Sequence, residues 1–173
     1  MWFGDEARVG QKNPLTRLWA RTGSRPTAPK DLRFAAAYIF GAVCPQQRTA
    51  AALVMPVCNT AAMNHFLQEI SAQLAADAHA VLITDGAAWH RSGQLVVPDS
   101  ITIILPPPYS PELNPAERIW HFLRSHWLSS RVFADLDDVI GACVDAWNRF
   151  VADPDLIASL CHVAWAIPPE PSG

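Results

Sequence analysis

The sequence predicts an α/β fold with one mixed sheet, in which three antiparallel strands are followed by two parallel strands and helices flank the sheet. Two observations predict it: three strand-like segments near the start, and two later continuous apolar runs, AVLITD and SITIIL. Continuous apolar runs are typical of parallel strands that are buried on both faces. With 173 residues, 50% of them hydrophobic, the chain is long enough for one domain with a substantial core.

The first three strands are expected to form an antiparallel meander. The first alternates between two faces, and the other two are rich in aliphatic residues and joined by a turn at Cys44-Pro45-Gln46-Gln47. Lys12–Asp31 is rich in Pro, Gly, Thr and Arg, which indicates an extended loop or small hairpin. The predicted strands are Met1–Val9, Phe34–Val43 and Thr49–Met55.

The rest of the chain alternates helices with the two buried strands. Apolar side chains recur at helical spacing in Ala61–Ala76, which Thr60 would cap, and a short helix is expected at Ala87–His90. Asn114-Pro115 opens another helix, because Asn is a good N-cap and Pro fits the first helical position, which makes Glu117 the third. Its core-facing apolar stripe is expected to comprise Ala116, Ile119, Trp120, Leu123 and Trp127. The buried strands are Ala80–Asp85 and Ser100–Leu105, and the closing helices are Asp135–Val151 and Pro154–Trp165.

Charge is distributed unevenly along the chain. Its net charge of −3, taken as an average, argues against binding to nucleic acid. Between Arg8 and Arg33, however, seven basic residues stand against Asp31 alone, a local +6, whereas Asp135–Asp155 carries a local −5. One end of the molecule could therefore hold a polyanion. The alternative is that the basic stretch is a solvated loop.

Neither a membrane segment nor a disulfide framework is indicated. The longest apolar runs are too short to span a bilayer, and the start lacks the basic and apolar regions of a signal peptide. The four cysteines form no Cys-x-x-Cys pair and are expected to be buried, reduced thiols. We therefore expect a cytoplasmic protein with no membrane partner.

Three acidic residues occupy places that the predicted topology brings together. Asp5 lies inside the first strand, Asp85 closes the first buried strand, and Glu117 begins the helix after the second. Clustered carboxylates repel one another unless cations offset their charge, and oxygen ligands favour Mg²⁺ or Mn²⁺. Each acid also has an ordinary alternative: Asp5 could pair with an arginine, Asp85 could cap the turn at Gly86, and Glu117 could belong to a capping box.

Three sequence blocks carry a resemblance to a known family. FGDEARVGQ, LITDGAAWH and LPPPYSPELNPAERIW, in this order, resemble the catalytic blocks of mariner-like DDE transposases, most of all those of the insertion sequence 630 family. The resemblance implies a ribonuclease-H-like fold and a catalytic, metal-binding triad of Asp5, Asp85 and Glu117, with 31 residues between the last two. It also implies two Mg²⁺ or Mn²⁺ ions, DNA (transposon ends and target) as substrate, and a homodimer in the active complex.

Other residues are candidates for contacting DNA or supporting the triad. Glu6 and Glu112 lie within the motifs but not at the triad positions, and Glu6 is expected on the opposite face of its strand from Asp5. Because DNA must approach the metal ions, the basic stretch Arg8–Arg33 is expected on the rim of the carboxylate site and the acidic stretch Asp135–Asp155 away from it. The candidates are Arg8, Lys12, Arg17, Arg21, His90, Asn114, His121 and Arg124.

The expected domain is residues 1–166, followed by a disordered tail at 167–173. Members of the family carry a helix-turn-helix region before this domain, so the chain is interpreted as an N-terminally clipped catalytic part. The leading function is metal-dependent DNA cleavage and strand transfer. The alternatives are another ribonuclease-H-like nuclease, which the PYSPELNPAE block disfavours, and a truncated remnant that binds DNA or partner subunits without catalysis.

Overall fold

A five-stranded mixed sheet forms the centre of the molecule. The computed structural model describes residues 1–12, 21–24, 33–107, 110–129 and 131–166. The strands lie in the order β3-β2-β1-β4-β5. Their bounds are Trp2–Gly10 (β1), Ala36–Cys44 (β2), Thr49–Met55 (β3), Ala80–Ile83 (β4) and Ile101–Ile104 (β5).

The central strand β1 joins the two halves of this sheet. It pairs with β2 in antiparallel register from Phe3↔Val43 to Gly10↔Ala36, and β2 pairs antiparallel with β3. On its other side β1 is parallel to β4 through only two register pairs, Trp2↔Leu82 and Phe3↔Ile83, and β4 is parallel to β5. The predicted mixed sheet of three antiparallel strands followed by two parallel ones is confirmed.

Helices cover both faces of the sheet, because alternate residues of each strand point to opposite sides. One core includes Phe3, Ala7 and Ile83 and packs against helices α2, α3 and α4; the other includes Trp2 and Leu82 and packs against α1. The helices are Thr60–Gln73 (α1), Ala116–Leu123 (α2), Leu136–Val151 (α3) and Pro154–Leu160 (α4). Short 3₁₀ turns lie at Ala88–Arg91, Pro111–Leu113 and Ala164–Ala166.

The starts of two helices differ from the prediction. The side chain of Asn59, rather than Thr60, accepts the hydrogen bond that caps α1. Helix α2 starts at Ala116, so Pro115 precedes it and Glu117 is its second residue rather than its third. The side chain of Asn114 still accepts a hydrogen bond from a backbone N–H of the first turn, that of Ala116 (3.1 Å).

The apolar stripe of α2 also shifts where the helix changes type. Arg124–Leu128 continues α2 as a π-helix, in which each hydrogen bond spans one more residue than in an α-helix. The extra residue moves the register by one position. Leu128 is therefore buried, while Trp127, predicted to continue the stripe, is only half-buried.

The cysteines, the apolar segments and the predicted loop and tail were also the subject of predictions. All four cysteines are free, and three of them are buried. In the described part of the chain, no helix is both long enough and apolar enough to cross a bilayer. The predicted loop Lys12–Asp31 lies largely outside the described residues, and the tail 167–173 lies wholly outside them.

Candidate active site

Asp5 lies in the middle of β1 and its side chain faces α2. Its Oδ2 accepts a hydrogen bond from Trp120 Nε1 (2.8 Å). Trp120 reaches it across Gly41, which pairs with Asp5 on the neighbouring strand; a Cβ atom on Gly41 would lie 2.6 Å from Cη2 of Trp120. No described arginine forms a salt bridge with Asp5, so the expected alternative role as an arginine partner is not observed.

Asp85 follows the end of β4 and lies at the mouth of the same region. Its side chain is 59% exposed. Oδ1 accepts a hydrogen bond from the backbone N–H of Ala87 (3.0 Å) and lies 3.0 Å from Nδ1 of His90. Asp85 therefore does cap the turn that follows it, as the alternative predicted, but only through Oδ1. Within the described residues its other oxygen, Oδ2, has no hydrogen-bond partner.

Glu117 is exposed on the first turn of α2. Within the described residues its carboxylate makes no hydrogen bond and no salt bridge, so it does not serve as a capping-box residue. The helix start is instead tied to β1 by Asn114, whose Nδ2 donates to the carbonyl of Gly4 (2.8 Å). This bond fixes Glu117's helix against the strand that carries Asp5.

These three acids line one open cleft of about 470 Å³. Asp5, Asp85 and Glu117 come from three different elements, as predicted, and Asn114 joins them. Among the described residues, Arg91 is the only basic side chain in the lining; its guanidinium lies over Gly86. The lining residues are Asp5, Asp85, Gly86, Ala87, Arg91, Pro106, Pro107, Ser110, Asn114 and Glu117.

The electrostatics of this cleft favour a cation. Burial, together with the nearby carboxylates of Glu6 and Asp85, raises the pKa of Asp5 from 3.8 to about 7. The hydrogen bonds from Trp120 and from the backbone N–H of Glu6 act in the opposite direction but do not offset the burial. A buried carboxylate with few donors gains most from a positive ion, because the ion replaces the lost hydration.

Behind Asp85 lies a second, closed cluster on the other face of β1. The His90 side chain is fully buried, and its Nε2 lies 2.8 Å from Oε1 of Glu6, which is 7% exposed. Hydrogen bonding to Glu6 and to the backbone of Asp85, with the charges of both acids, raises the pKa of His90 against the opposing effect of burial. Glu6, Asp85 and His90 each offer one ligand atom within 4.8 Å of the others and could hold a metal ion.

Comparison with known proteins identifies the family. Residues 1–140 match the family model of the DDE superfamily endonucleases. The chain belongs to this family. A relative whose function is uncharacterised, y4pE/y4sA of Sinorhizobium fredii (strain NBRC 101917 / NGR234), is 51% identical over 130 residues, which cover 75% of this chain and 96% of that protein.

Solved transposase structures share the fold of this DDE family member. The Mos1 transposase paired-end complex with left transposon end matches with a TM-score of 0.66 and 17% identity, over 93% of this chain and 51% of that chain. The Mos1 mariner paired end complex with Mn matches with a TM-score of 0.65 and 16% identity, over 92% and 50%. The chain thus spans about half the length of these transposases, and the predicted ribonuclease-H-like architecture is confirmed.

Several of the described candidate residues of this family member lie outside the cleft lining. Arg8 is exposed on β1, three residues beyond Asp5, which is about 10 Å along a strand. The ammonium of Lys12 lies 5.4 Å from the ring centroid of Phe34, and Arg17 lies outside the described residues. The backbone carbonyl of Arg21 accepts a hydrogen bond from the hydroxyl of Ser24. Arg124 is the C-cap of α2 and the first residue of the π-helix.

His121 lies beside the cleft rather than in it. Together with Glu117 it lines a neighbouring hollow on the outer side of α2. None of the described basic residues between Arg8 and Arg33 lines the cleft, and the rest of that stretch lies outside the described residues, so the predicted basic rim stays a prediction. The acidic side chains of α3 do not line it either, in agreement with the expectation that this region lies away from the site.

Sequence reasoning missed two side chains that contact the site. Arg91 follows His90 directly in the DGAAWHR stretch. Its place next to a motif residue, at the end of a predicted short helix, is the sequence feature that could have indicated its position at the site. Trp120 was assigned to the core stripe of α2, and it is buried there, but its indole N–H also reaches Asp5. A helical pattern shows that a side chain faces inward and leaves open which polar group it meets.

Proposed function

We propose that this chain is the catalytic domain of a transposase, which cleaves DNA at the ends of a mobile element and joins the freed 3′-hydroxyl to target DNA. The observation that carries the proposal is the single cleft lined by Asp5, Asp85 and Glu117. Three carboxylates gathered in an open cleft with one arginine form a site for cations, and the family is one of endonucleases.

The donor set fits two hard divalent cations, Mg²⁺ or Mn²⁺. Asp5, Asp85 and Glu117 would hold them, because all three offer carboxylate oxygens and none forms an ion pair with a lysine or arginine in the described structure. Such ions, when bound, stabilise the charge that develops on a phosphodiester and lower the pKa of an attacking water.

The chain's own residues would orient the substrate and its ligands. The Arg91 guanidinium is placed to donate to a phosphate oxygen at the side of the cleft formed by Gly86 and Ala87. Asn114 keeps α2 and β1 in register, and Trp120 holds one oxygen of Asp5 in place. Each of these contacts limits the freedom of a group that must act in a fixed geometry.

The wider assembly belongs to the proposal as well. The solved relatives are described as paired-end complexes with transposon ends. We extend this to transposon ends and target DNA as the partners of this chain, and to a homodimer in its active complex. Residues 1–166 would form the catalytic domain, of the insertion sequence 630 type, acting in the cytoplasm where chromosomal DNA is accessible.

A nicking assay tests the proposal. Wild type should nick a supercoiled plasmid in the presence of Mn²⁺ or Mg²⁺, and Asp5→Asn, Asp85→Asn and Glu117→Gln should reduce nicking to the level of buffer alone. Glu112→Gln is the matched control, since Glu112 is an exposed acid of the same motif that does not line the cleft. Nicking that survives Asp85→Asn would reject the proposed chemistry, and DNA binding without nicking would favour the inactive remnant.

A further inference from the structure

We infer that Glu6 and His90 are positioning residues for Asp85. They fix Oδ1 of its carboxylate from the side away from the cleft, and Oδ2 stays available to a ligand in the cleft. The inference rests on the proposed function of the cleft, because it concerns how one of the proposed metal ligands is oriented. Neither Glu6 nor His90 lines the cleft.

The hydrogen bonds of His90 carry the argument. Nε2 lies 2.8 Å from Oε1 of Glu6, while Nδ1 lies 2.8 Å from the backbone carbonyl of Asp85 and 3.0 Å from Oδ1 of the same residue. The two atoms of Asp85 that face Nδ1, a carbonyl oxygen and a carboxylate oxygen, are acceptors, so Nδ1 is the nitrogen that donates to Asp85. The imidazole thus bridges the two acids, with Nδ1 on Asp85 and Nε2 on Glu6.

The consequence for Asp85 is that its two oxygens differ. Oδ1 is held by the Ala87 N–H and by His90 Nδ1, both about 3.0 Å away. Oδ2 has no hydrogen-bond partner among the described residues. A side chain that is 59% exposed would otherwise rotate freely, whereas two donors on one oxygen select one orientation.

Glu6 in turn fixes His90. Its Oε1 accepts from Trp89 Nε1 (3.2 Å) as well as from His90. Because both side chains are nearly inaccessible, the ring has little room to turn. A metal ion held by Glu6, Asp85 and His90 would have to take a lone pair from a ring nitrogen that now donates, so the hydrogen-bonded arrangement competes directly with metal binding at that place.

Metal affinity is the property that this arrangement should change. Residues that orient the ligands of a metal typically alter its affinity by about 10- to 100-fold when they are removed. We expect His90→Asn and Glu6→Ala to weaken Mn²⁺ binding by about that factor. In Glu6→Gln the amide still hydrogen-bonds to the ring, so Mn²⁺ affinity should stay within about 3-fold of wild type, well below that range.

The experiment is titration of the metal-free full chain with Mn²⁺, by calorimetry or by electron paramagnetic resonance, alongside a thermal melt of every variant. Phe66→Leu serves as the control for general destabilisation, since Phe66 is buried in the core on the same face of the sheet as Glu6. It should lower the melting temperature and leave Mn²⁺ affinity unchanged.

The outcomes separate this inference from the proposed function. If Asp85→Asn loses Mn²⁺ binding but folded His90→Asn and Glu6→Ala bind as wild type does, the positioning role is overturned and the proposed function stands. If His90→Asn does not fold, His90→Gln takes its place under the same criterion. If Asp85→Asn itself binds Mn²⁺ like wild type, the proposed function fails first.

Discussion

Asp5 and Glu6 are neighbours on β1, and their carboxylates lie in opposite surroundings. Asp5 points toward α2, where one side-chain donor, Trp120, meets it and burial raises its pKa to about 7. Glu6 points to the other face, where Trp89 and His90 both donate to Oε1. Its side chain is 7% exposed, and one of its two donors is a histidine with a raised pKa.

The difference teaches that burial alone does not define a functional acid. A buried carboxylate that is paired with a protonatable histidine has a positive charge available beside it, whereas one that is held only by neutral donors gains most from a cation. Asp5 is of the second kind, and it faces an open cleft. A cation entering that cleft recovers free energy that folding has already spent on desolvating Asp5.

The largest effect on stability should come from Gly41→Ala, which changes the surroundings of Asp5 and leaves those of Glu6 as they are. The added Cβ would lie 2.6 Å from Trp120 and 2.9 Å from Trp147, two packed and rigid indoles. We expect a loss of about 3 kcal/mol or more in the free energy of unfolding, as for overpacked cores. Chemical denaturation measures it.

Gly86→Ala is the matched control for that change. There the clash is with the flexible end of Arg91, 2.5 Å away, which can move aside. The cost should be below about 1 kcal/mol. Equal destabilisation by the two substitutions would contradict the view that Trp120 reaches Asp5 only because position 41 lacks a side chain.

Substituting the two acids should change stability with opposite signs. The folded pKa of Asp5, about 7, is above its unfolded value of 3.8, so the metal-free chain loses stability as pH rises between those values. Asp5→Asn removes this loss and should make the metal-free chain more stable at pH 8 by a few kcal/mol at most. Glu6→Gln should destabilise it by about 1–2 kcal/mol at pH 6, because a charged His90 loses its counter-ion.

Thermal melts in chelator at several pH values measure both effects. The raised pKa of His90 also makes stability fall with rising pH, so the comparison must be made between wild type and each variant at the same pH. An Asp5→Asn chain that is less stable than wild type at pH 8 would show that the ionised, buried Asp5 does not destabilise the fold.

Metal binding should depend on pH through Asp5. Its proton has to leave before the carboxylate can ligate a cation, so below about pH 7 the apparent Mn²⁺ affinity should rise about tenfold per pH unit and then level off. Calorimetric titrations between pH 5.5 and 8.5 would locate the break. Affinity that is flat across this range would contradict a raised pKa at Asp5.

The smallest effect should be on the pH dependence of Mn²⁺ affinity, and it should differ between substitutions of Trp120 and Trp89. Trp120→Phe removes the one side-chain donor to Asp5 and should move the break in that profile upward by about one pH unit. Trp89→Phe removes one of two donors to Glu6 on the far face and should leave the break in place. A shift of equal size in both variants would mean that the two faces are not electrostatically distinct.

The elements of the site followed from the sequence because they depend on local patterns. Alternation placed Asp5 and Glu6 on opposite faces, the end of an apolar run placed Asp85 at a strand terminus, and Glu117 lies in the first turn of α2. Parallel strands then bring such positions to one edge of the sheet. The gathering of three acids in one cleft needed no more than this reasoning and the resemblance.

The contacts between elements did not follow, because they depend on distances in space. The pairing of Asp5 with Gly41 and the passage of Trp120 over it arise only when β2 and α2 pack together. The basic run from Arg8 to Arg33 was predicted on the rim of the site from its charge, because DNA must approach the metal ions. A strand carries its residues about 3.3 Å apart, so even Arg8 is already well removed.

The junction between β1 and β4, called the seam below, has only two register pairs, and this has a mechanical consequence. Asp5 and Asp85 are on opposite sides of it. The backbone ladder crosses it with the register pairs of Trp2 and Phe3 alone, whereas β1 and β2 share a ladder of eight, and the Glu6–His90–Asp85 hydrogen bonds cross it through side chains. Resistance to shear grows with the number of hydrogen-bonded rungs, so this seam is the most compliant line in the sheet. The spacing between these two carboxylates therefore depends on the side-chain contacts that cross the seam, whereas the ladder itself sets the position of Asp5 relative to the meander.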